Sequence, residues 1–146
     1  MGRFSNLRGA AVVSDAVRSY TFHDLAGSPE LQVAPATQAN REYFNAALAA
    51  ARDKANVGRK VTVASLADDR ITRAKLYARH VVKGWSGVKD ATGALVPFSP
   101  EACEEFLEEL AGSDLSYLFI EFVNFIEEER NFTAEAIALG KSSSSG

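Results

Sequence analysis

Apolar residues recur along this chain at two different spacings, and the change between them marks out its elements. Ser19-Tyr20-Thr21-Phe22 and Leu31-Gln32-Val33 are short β-prone runs, and Gly27-Ser28-Pro29 between them supplies a turn. The pattern predicts a small hairpin. Pro35 closes it, and Thr37 is the candidate N-cap of a helix over about 38–54. Tyr43, Phe44, Ala47, Leu48 and Ala51 give that helix one apolar stripe, and Asn56 and Gly58 end it. Val61-Thr62-Val63 reads as a short extended link. Asp68 and Asp69 then sit where a helix N-terminus favours negative charge. Ile71, Ala74, Ala78, Val81, Val82 and Trp85 follow at spacings of three and four, with Arg70, Arg73, Lys75, Arg79 and Lys83 mostly off the stripe. The prediction is a basic amphipathic helix stopped near Gly84 and Gly87.

Asp90-Ala91-Thr92-Gly93 is a turn signature flanked by Val88 and by Leu95-Val96, which predicts a second tight hairpin near 88–98. Ser99-Pro100-Glu101 is the sharpest local signal. Serine caps, proline fits the first helical position, and glutamate complements the dipole. The helix that follows buries Cys103, Phe106, Leu107 and Leu110 and exposes Glu101, Glu104, Glu105, Glu108 and Glu109, with Gly112 as its stop. Ser113-Asp114 caps a further helix whose face is Leu115, Leu118, Phe119, Phe122, Val123 and Ile126, broadened by Tyr117 and Phe125. Beyond Glu127-Glu128-Glu129 the pattern thins to Phe132 and Ile137. Residues 141–146, with four serines in a row, read as a flexible tail. The expected architecture is a mainly helical α+β domain over 1–140, with about four amphipathic helices and one or two small hairpins.

Composition changes this picture in one respect. The net charge of −3 is modest, yet residues 1–99 carry 14 Lys/Arg against 8 Asp/Glu, whereas residues 100–146 carry 2 against 11. A polarity of about +6 against −9 can be satisfied inside one fold or between subunits. Cys103 is the only cysteine, which excludes an intramolecular disulfide and a cysteine-built zinc site. No run reaches the roughly 18–20 apolar residues of a membrane span. Gly9 to Val13 is too short for a signal-peptide core, and Asn6 stands where a myristoylation signal wants Ser or Thr. A reducing cytoplasm is the expected compartment.

Candidate chemistry is sparse. A hydrolytic triad needs a base, and only His23 and His80 can serve. His80 lies beside Arg79 on the basic helix, and His23 adjoins Asp24 in the hairpin, so both read as ordinary histidines. Cys103 reads as a small buried hydrophobe. The glutamates, spaced by three and four opposite an apolar stripe, read as a solvated face or a patch for a basic partner. Lys83-Gly84-Trp85-Ser86-Gly87 contains a GxxG, but a turn follows where a nucleic-acid clamp would need a helix. The basic helix can touch phosphates, while the acidic C-terminal part argues against nucleic acid as the partner. The residues point to a non-enzymatic binding or assembly protein with no cofactor and no metal. Tyr117, Phe122, Phe125 and Glu121, with Arg73 and Arg79, are its candidate protein-binding residues. Trp85, Gly93, Pro97 and Ser99 form a structural motif, with Trp85 packing beneath the 85–98 loop.

The stretch His80-Val81-Val82-Lys83-Gly84-Trp85-Ser86-Gly87-Val88-Lys89-Asp90, then Gly93, then Val96-Pro97-Phe98-Ser99-Pro100-Glu101, resembles the tail assembly chaperones of long-tailed bacteriophages and prophages. The similarity spans roughly residues 18–130 and is most specific over 80–107. The resemblance implies a chaperone that binds and solubilises the tape-measure protein and helps recruit tail-tube subunits. It implies action in the host cytoplasm, absence from the mature virion, and formation of a homo-oligomer. Genes of this kind often carry a slippery site near their end, and Gly140-Lys141-Ser142 is compatible with one, which implies a frameshifted, extended form. Two alternatives stay open: a structural virion protein, such as a head–tail joining or minor tail subunit, and a nucleic-acid-binding regulator.

Overall fold

The computed structural model describes residues 12, 13, 15–57 and 63–144. Two strands, β1 (Arg18–Thr21) and β2 (Glu30–Val33), pair antiparallel with Tyr20 opposite Leu31, as the alternating runs predict. The connection turns through Gly27 (φ 81°) and Ser28 (φ 43°), and the Phe22 amide donates to the Pro29 carbonyl at 2.9 Å. Helix α1 (Arg41–Val57) follows, then α2 (Val63–His80). Asn40, not Thr37, caps α1: its Oδ1 accepts from the Tyr43 amide at 3.2 Å, while the Thr37 hydroxyl accepts from Ala39 in the turn before. The predicted stop at Gly58, and Val61 and Thr62 of the predicted extended link, lie outside the described residues; Val63 is already helical.

The main departure comes next. The predicted basic helix runs on through Trp85, but α2 begins earlier and ends at His80, and Val82–Ser86 is a strand, β3. It pairs antiparallel with β2, placing Trp85 opposite Leu31 and Val82 opposite Val33 and completing a three-stranded sheet ordered β1-β2-β3. Val81, Val82 and Trp85 fit a helical stripe by spacing. β-branched and aromatic residues also suit a strand, however, Gly84 disfavours a helix, and β2 has a second edge to fill. The register slips between Gln32 and Val33, so Lys83 is the extra residue of a bulge.

The second predicted hairpin is reduced to a tight turn. Asp90 Oδ1 accepts from the Thr92 and Ala94 amides, and one bridge joins Lys89 to Leu95. Helix α3 (Pro100–Gly112) starts where Ser99-Pro100-Glu101 predicts, with the Ser99 hydroxyl accepting from the Ala102 amide at 3.0 Å. Helix α4 (Ser116–Glu127) begins after Leu115, and no side chain caps it. Ser113 instead accepts from the Leu115 amide at 3.1 Å in the turn before. A short 3-10 turn (Glu129–Phe132) leads into α5 (Ala134–Ser144), a fifth α-helix that the thin apolar pattern did not announce. It is held at its start, where the Thr133 hydroxyl accepts from Ala136 and Val12 bridges to Thr133.

The fold is thus helix-rich α+β, as expected. Its core joins the inner face of the sheet (Leu31, Val33) to α2 (Ala74, Tyr77, Ala78), α3 (Cys103, Leu107, Leu110) and α4 (Leu118, Phe119, Phe122, Ile126). Phe132 closes it from the 3-10 turn and is fully buried. Helix α1 is the exception: none of its described residues is fully buried, and Leu48 of its predicted stripe stands 39% exposed.

Two loops pass backbone to backbone at Gly27 and Gly87. Both have positive φ, and a Cβ on Gly87 would meet the Gly27 carbonyl oxygen at 3.2 Å. Gly87→Ala is expected to cost about 1–3 kcal/mol from a left-handed alanine and the forced parting of the loops. Urea denaturation measures it, with Gly84→Ala, where the added Cβ meets nothing within 4 Å, as the contrast. Equal midpoints for the two variants would mean that the contact tolerates a methyl group.

Candidate protein-binding surfaces

The predicted binding residues separate into those used inside the fold and those left at its surface. Phe122 is fully buried and packs against Tyr20, Phe22 and Tyr77, so it has no part in an outer surface. Phe125 is half-buried. Its ring lies 5.1 Å from that of Tyr20 and 5.9 Å from that of Phe132, and the Arg18 guanidinium sits 5.2 Å above it. An aspartate at 125 would therefore damage packing and could not report on binding alone. Tyr117, by contrast, is 51% exposed, and Ile120, one turn along the same face of α4, is 46% exposed. Glu121 and Asp114 flank them, both exposed and without an ion pair among the described residues. Sequence reasoning found Tyr117 and Glu121 but missed Ile120, whose exposure depends on which side of the broad apolar helix the core takes.

Arg73 and Arg79 are committed internally. Arg79 Nε donates to Glu104 at 2.8 Å and its Nη1 lies 3.6 Å from Glu101, while Lys75 Nζ lies 3.6 Å from Glu108. Arg73 pairs with Glu127 and donates to the Tyr77 hydroxyl at 3.1 Å. The basic face of α2 thus rests on the acidic face of α3, and much of the charge polarity seen in the sequence is satisfied within the molecule. Glu108 Oε1 is buried without a hydrogen bond and faces Lys75 at the longer distance.

Trp85 packs beneath the 85–98 loop, although from a strand. Its Nε1 donates to the Val96 carbonyl at 2.8 Å, and its ring meets Phe98 and Phe106 edge-on at 5.4 and 5.7 Å. Gly93 supplies the left-handed residue of the turn (φ 85°), and Pro97 is exposed between it and the Ser99 cap. The GxxG of residues 84–87 lies in β3 and the bend after it, not between helices.

A second surface was invisible in the sequence. A groove of about 430 Å³ opens where the segment before β1, the segment after β2, the start of α1 and β3 come together. Val13, Ala16, Val17, Ala34 and Pro35 line it with apolar groups, and Arg41 and Lys83 stand among its polar residues. Glu42 in the same lining is engaged by His80, whose Nδ1 lies 2.8 Å from Glu42 Oε1. Asn40 ties this corner down by donating to the His80 carbonyl at 2.8 Å. The lining residues come from three separated stretches of chain, so no local pattern could have predicted them.

The YdaY prophage protein family model matches residues 38–141. The chain belongs to this family. No curated protein and no solved structure matches it. The match covers α1 to α5 almost entire, including the Trp85 loop and the exposed ridge of α4, and it agrees with the phage or prophage origin expected from the resemblance.

The other chemical candidates of this prophage protein are quiet. Cys103 is fully buried, and burial pushes its thiol up to about 12. His23 is exposed on the β1–β2 connection. Among the described residues no three His, Cys, Asp or Glu side chains gather as metal ligands, and no helix is long and apolar enough to cross a membrane.

The ion pairs make acid a specific stress. The hydrogen bond from Arg79 holds the Glu104 carboxyl below its usual range, that from His80 does the same for Glu42, and the turn hydrogen bonds lower Asp90. A lowered folded-state pKa contributes stability that is complete above the unfolded value and is lost as pH falls through the folded one. Thermal stability should therefore hold from neutral pH to about 4.5 and decline below it. Glu104→Gln should flatten part of that decline. Melting curves across pH test this, and an acid slope unchanged in the variant would show that the pair contributes nothing measurable.

Proposed function

We propose that this prophage protein is a tail assembly chaperone that binds and solubilises the tape-measure protein and helps recruit tail-tube subunits. The observation that carries the reading is the exposed Tyr117–Ile120 ridge on α4, a helix whose opposite face is committed to the core. Family membership supports the phage setting, and the Trp85-to-Glu101 motif supports the tail assembly role. A tape measure is a long, largely helical chain with apolar stripes exposed before the tube forms around it. A ridge of one aromatic and one aliphatic side chain, with Glu121 and Asp114 beside it, suits the amphipathic helix-to-groove mode of recognition. The protein acts without catalysis or cofactor, in the host cytoplasm, and leaves before the virion is complete.

Co-expression with the tape-measure protein of the same prophage, followed by affinity capture and a solubility assay, tests the reading. The wild-type chain, or its frameshifted extended form, should keep the tape measure soluble and co-purify with it. Tyr117→Asp combined with Ile120→Asp should lower capture about tenfold or more, the order expected on losing a central apolar anchor pair, while circular dichroism stays unchanged. A tape measure left insoluble by both forms, together with this protein found in purified particles, would instead assign it a structural role in the virion.

A further inference from the structure

Helix α1 is held differently from the other helices. The shorter α4 buries Leu118, Phe119, Phe122, Val123 and Ile126, whereas none of the side chains described on α1, those of residues 41–53, is fully buried. Its main packing partner among the described elements is α2. Three ties at its cap and first turn join it there. The Asn40 side chain donates to the His80 carbonyl at 2.8 Å, Glu42 Oε1 lies 2.8 Å from His80 Nδ1, and the Tyr43 ring stacks 5.8 Å from that of Tyr77. Two of the three end on one residue, His80, the last of α2. Farther along α1, Asn45, Leu48, Arg52 and Asp53 are exposed. A segment with few buried groups opens at a lower free energy than the core it lies on.

The rest of the fold has supports of its own. Just before α1, the buried Ala34 and Ala36 are fixed by their amides, which donate to the Val81 and Ile126 carbonyls at 2.9 and 2.8 Å. Helix α2 is held by α3 through Arg79 with Glu104 and Lys75 with Glu108. The Tyr77 hydroxyl finds Arg73 on α2 and Glu127 on α4, so parting its ring from Tyr43 leaves that hydroxyl satisfied. We propose that α1 is a releasable cover: it leaves the core as one unit while the sheet, α2, α3 and α4 stay folded, and the ties of Asn40 and Glu42 to His80 are the clasp that sets how often it does so. Release uncovers one side of the Tyr77 ring and takes away the wall that residues 39–42 give the groove. Ala16, Ala34 and Pro35 of the groove lining are buried while α1 is in place, so the clasp governs access to that apolar floor. The inference goes beyond the chaperone reading and does not depend on it: failure to capture the tape measure leaves it untouched.

Native-state hydrogen exchange on the full chain, followed amide by amide by NMR, tests it. The amides of residues 45–52 should exchange through one common opening, about tenfold or more faster than the central amides of α3 and α4. Asn40→Ser with Glu42→Ala loosens the clasp and keeps the cap, because serine caps a helix as asparagine does but falls a bond short of the His80 carbonyl. This double variant should speed exchange of residues 45–52 a further tenfold or so, about the combined effect of one hydrogen bond and one exposed ion pair. Exchange in α3 and α4 should not change. Equal protection of α1, α3 and α4 in the wild-type chain overturns the proposal. So does a double variant that speeds exchange in all the helices alike, or one that leaves residues 45–52 as they were.

Discussion

Three helices meet at the side chain of Tyr77, and their relative placement follows from what it needs. Its ring is fully enclosed, stacked 5.8 Å from Tyr43 of α1 and set against Phe119 and Phe122 of α4. A phenol enclosed this far must find polar partners, because an unpaired buried hydroxyl costs on the order of 1–3 kcal/mol. It accepts from Arg73 one turn back on α2 and donates to Glu127 at the end of α4, at 3.2 Å. Burial raises its pKa well above the ordinary tyrosine value, so it stays a neutral donor. Glu127 would be unfavourable alone at the negative end of a helix dipole. Arg73 offsets that, so one triad fixes the register of α4 along α2 and turns the Tyr117–Ile120 side outward.

That arrangement explains which parts of the fold were legible in the sequence. Elements with a local cause were: the Gly27-Ser28-Pro29 turn, the Ser99-Pro100 helix start, and the α3 stripe of Cys103 and Leu107 each follow from their own neighbours. Elements whose cause is distant were not. Val82 to Ser86 satisfies a helical stripe as well as a strand, and the free edge of β2, some fifty residues earlier, decides between them. Helix α5 has too few apolar groups to announce itself and depends on the turn at Phe132 and Thr133 to hold its start. The cap of α1 shifted from Thr37 to Asn40 because Asn40 serves two helices at once, closing α1 and donating to the last carbonyl of α2.

The candidate site divides in the same way. Tyr117 and Glu121 were visible as the outer edge of an apolar helix. Phe122 and Phe125 belonged to the same stripe, and only the position of the sheet, with Tyr20 and Phe22 pointing onto α4, shows that the core takes them. Arg73 and Arg79 looked available to a partner because their carboxylates lie 54 and 25 residues away along the chain. Sequence charge counts register an imbalance between two halves without telling whether folding cancels it. Here folding places α2 on α3 and cancels much of it.

What folding does not cancel is therefore the more informative charge. Near the apolar groove, Arg41 opens a capped helix, and Lys83, the bulged residue of β3, helps His80 to lower the pKa of Glu42. Exposed acids without an ion pair among the described residues remain beside Tyr117 and Ile120: Asp114 in the turn before α4, and Glu121 on the helix itself. Surface ion pairs add little to the stability of a fold, so exposed carboxylates set beside exposed apolar side chains are better explained by a partner than by folding. Matching charges at a rim set orientation and partner choice more than strength. That suits an assembly factor, whose contacts must form in order and come apart when the structure they prepare is complete.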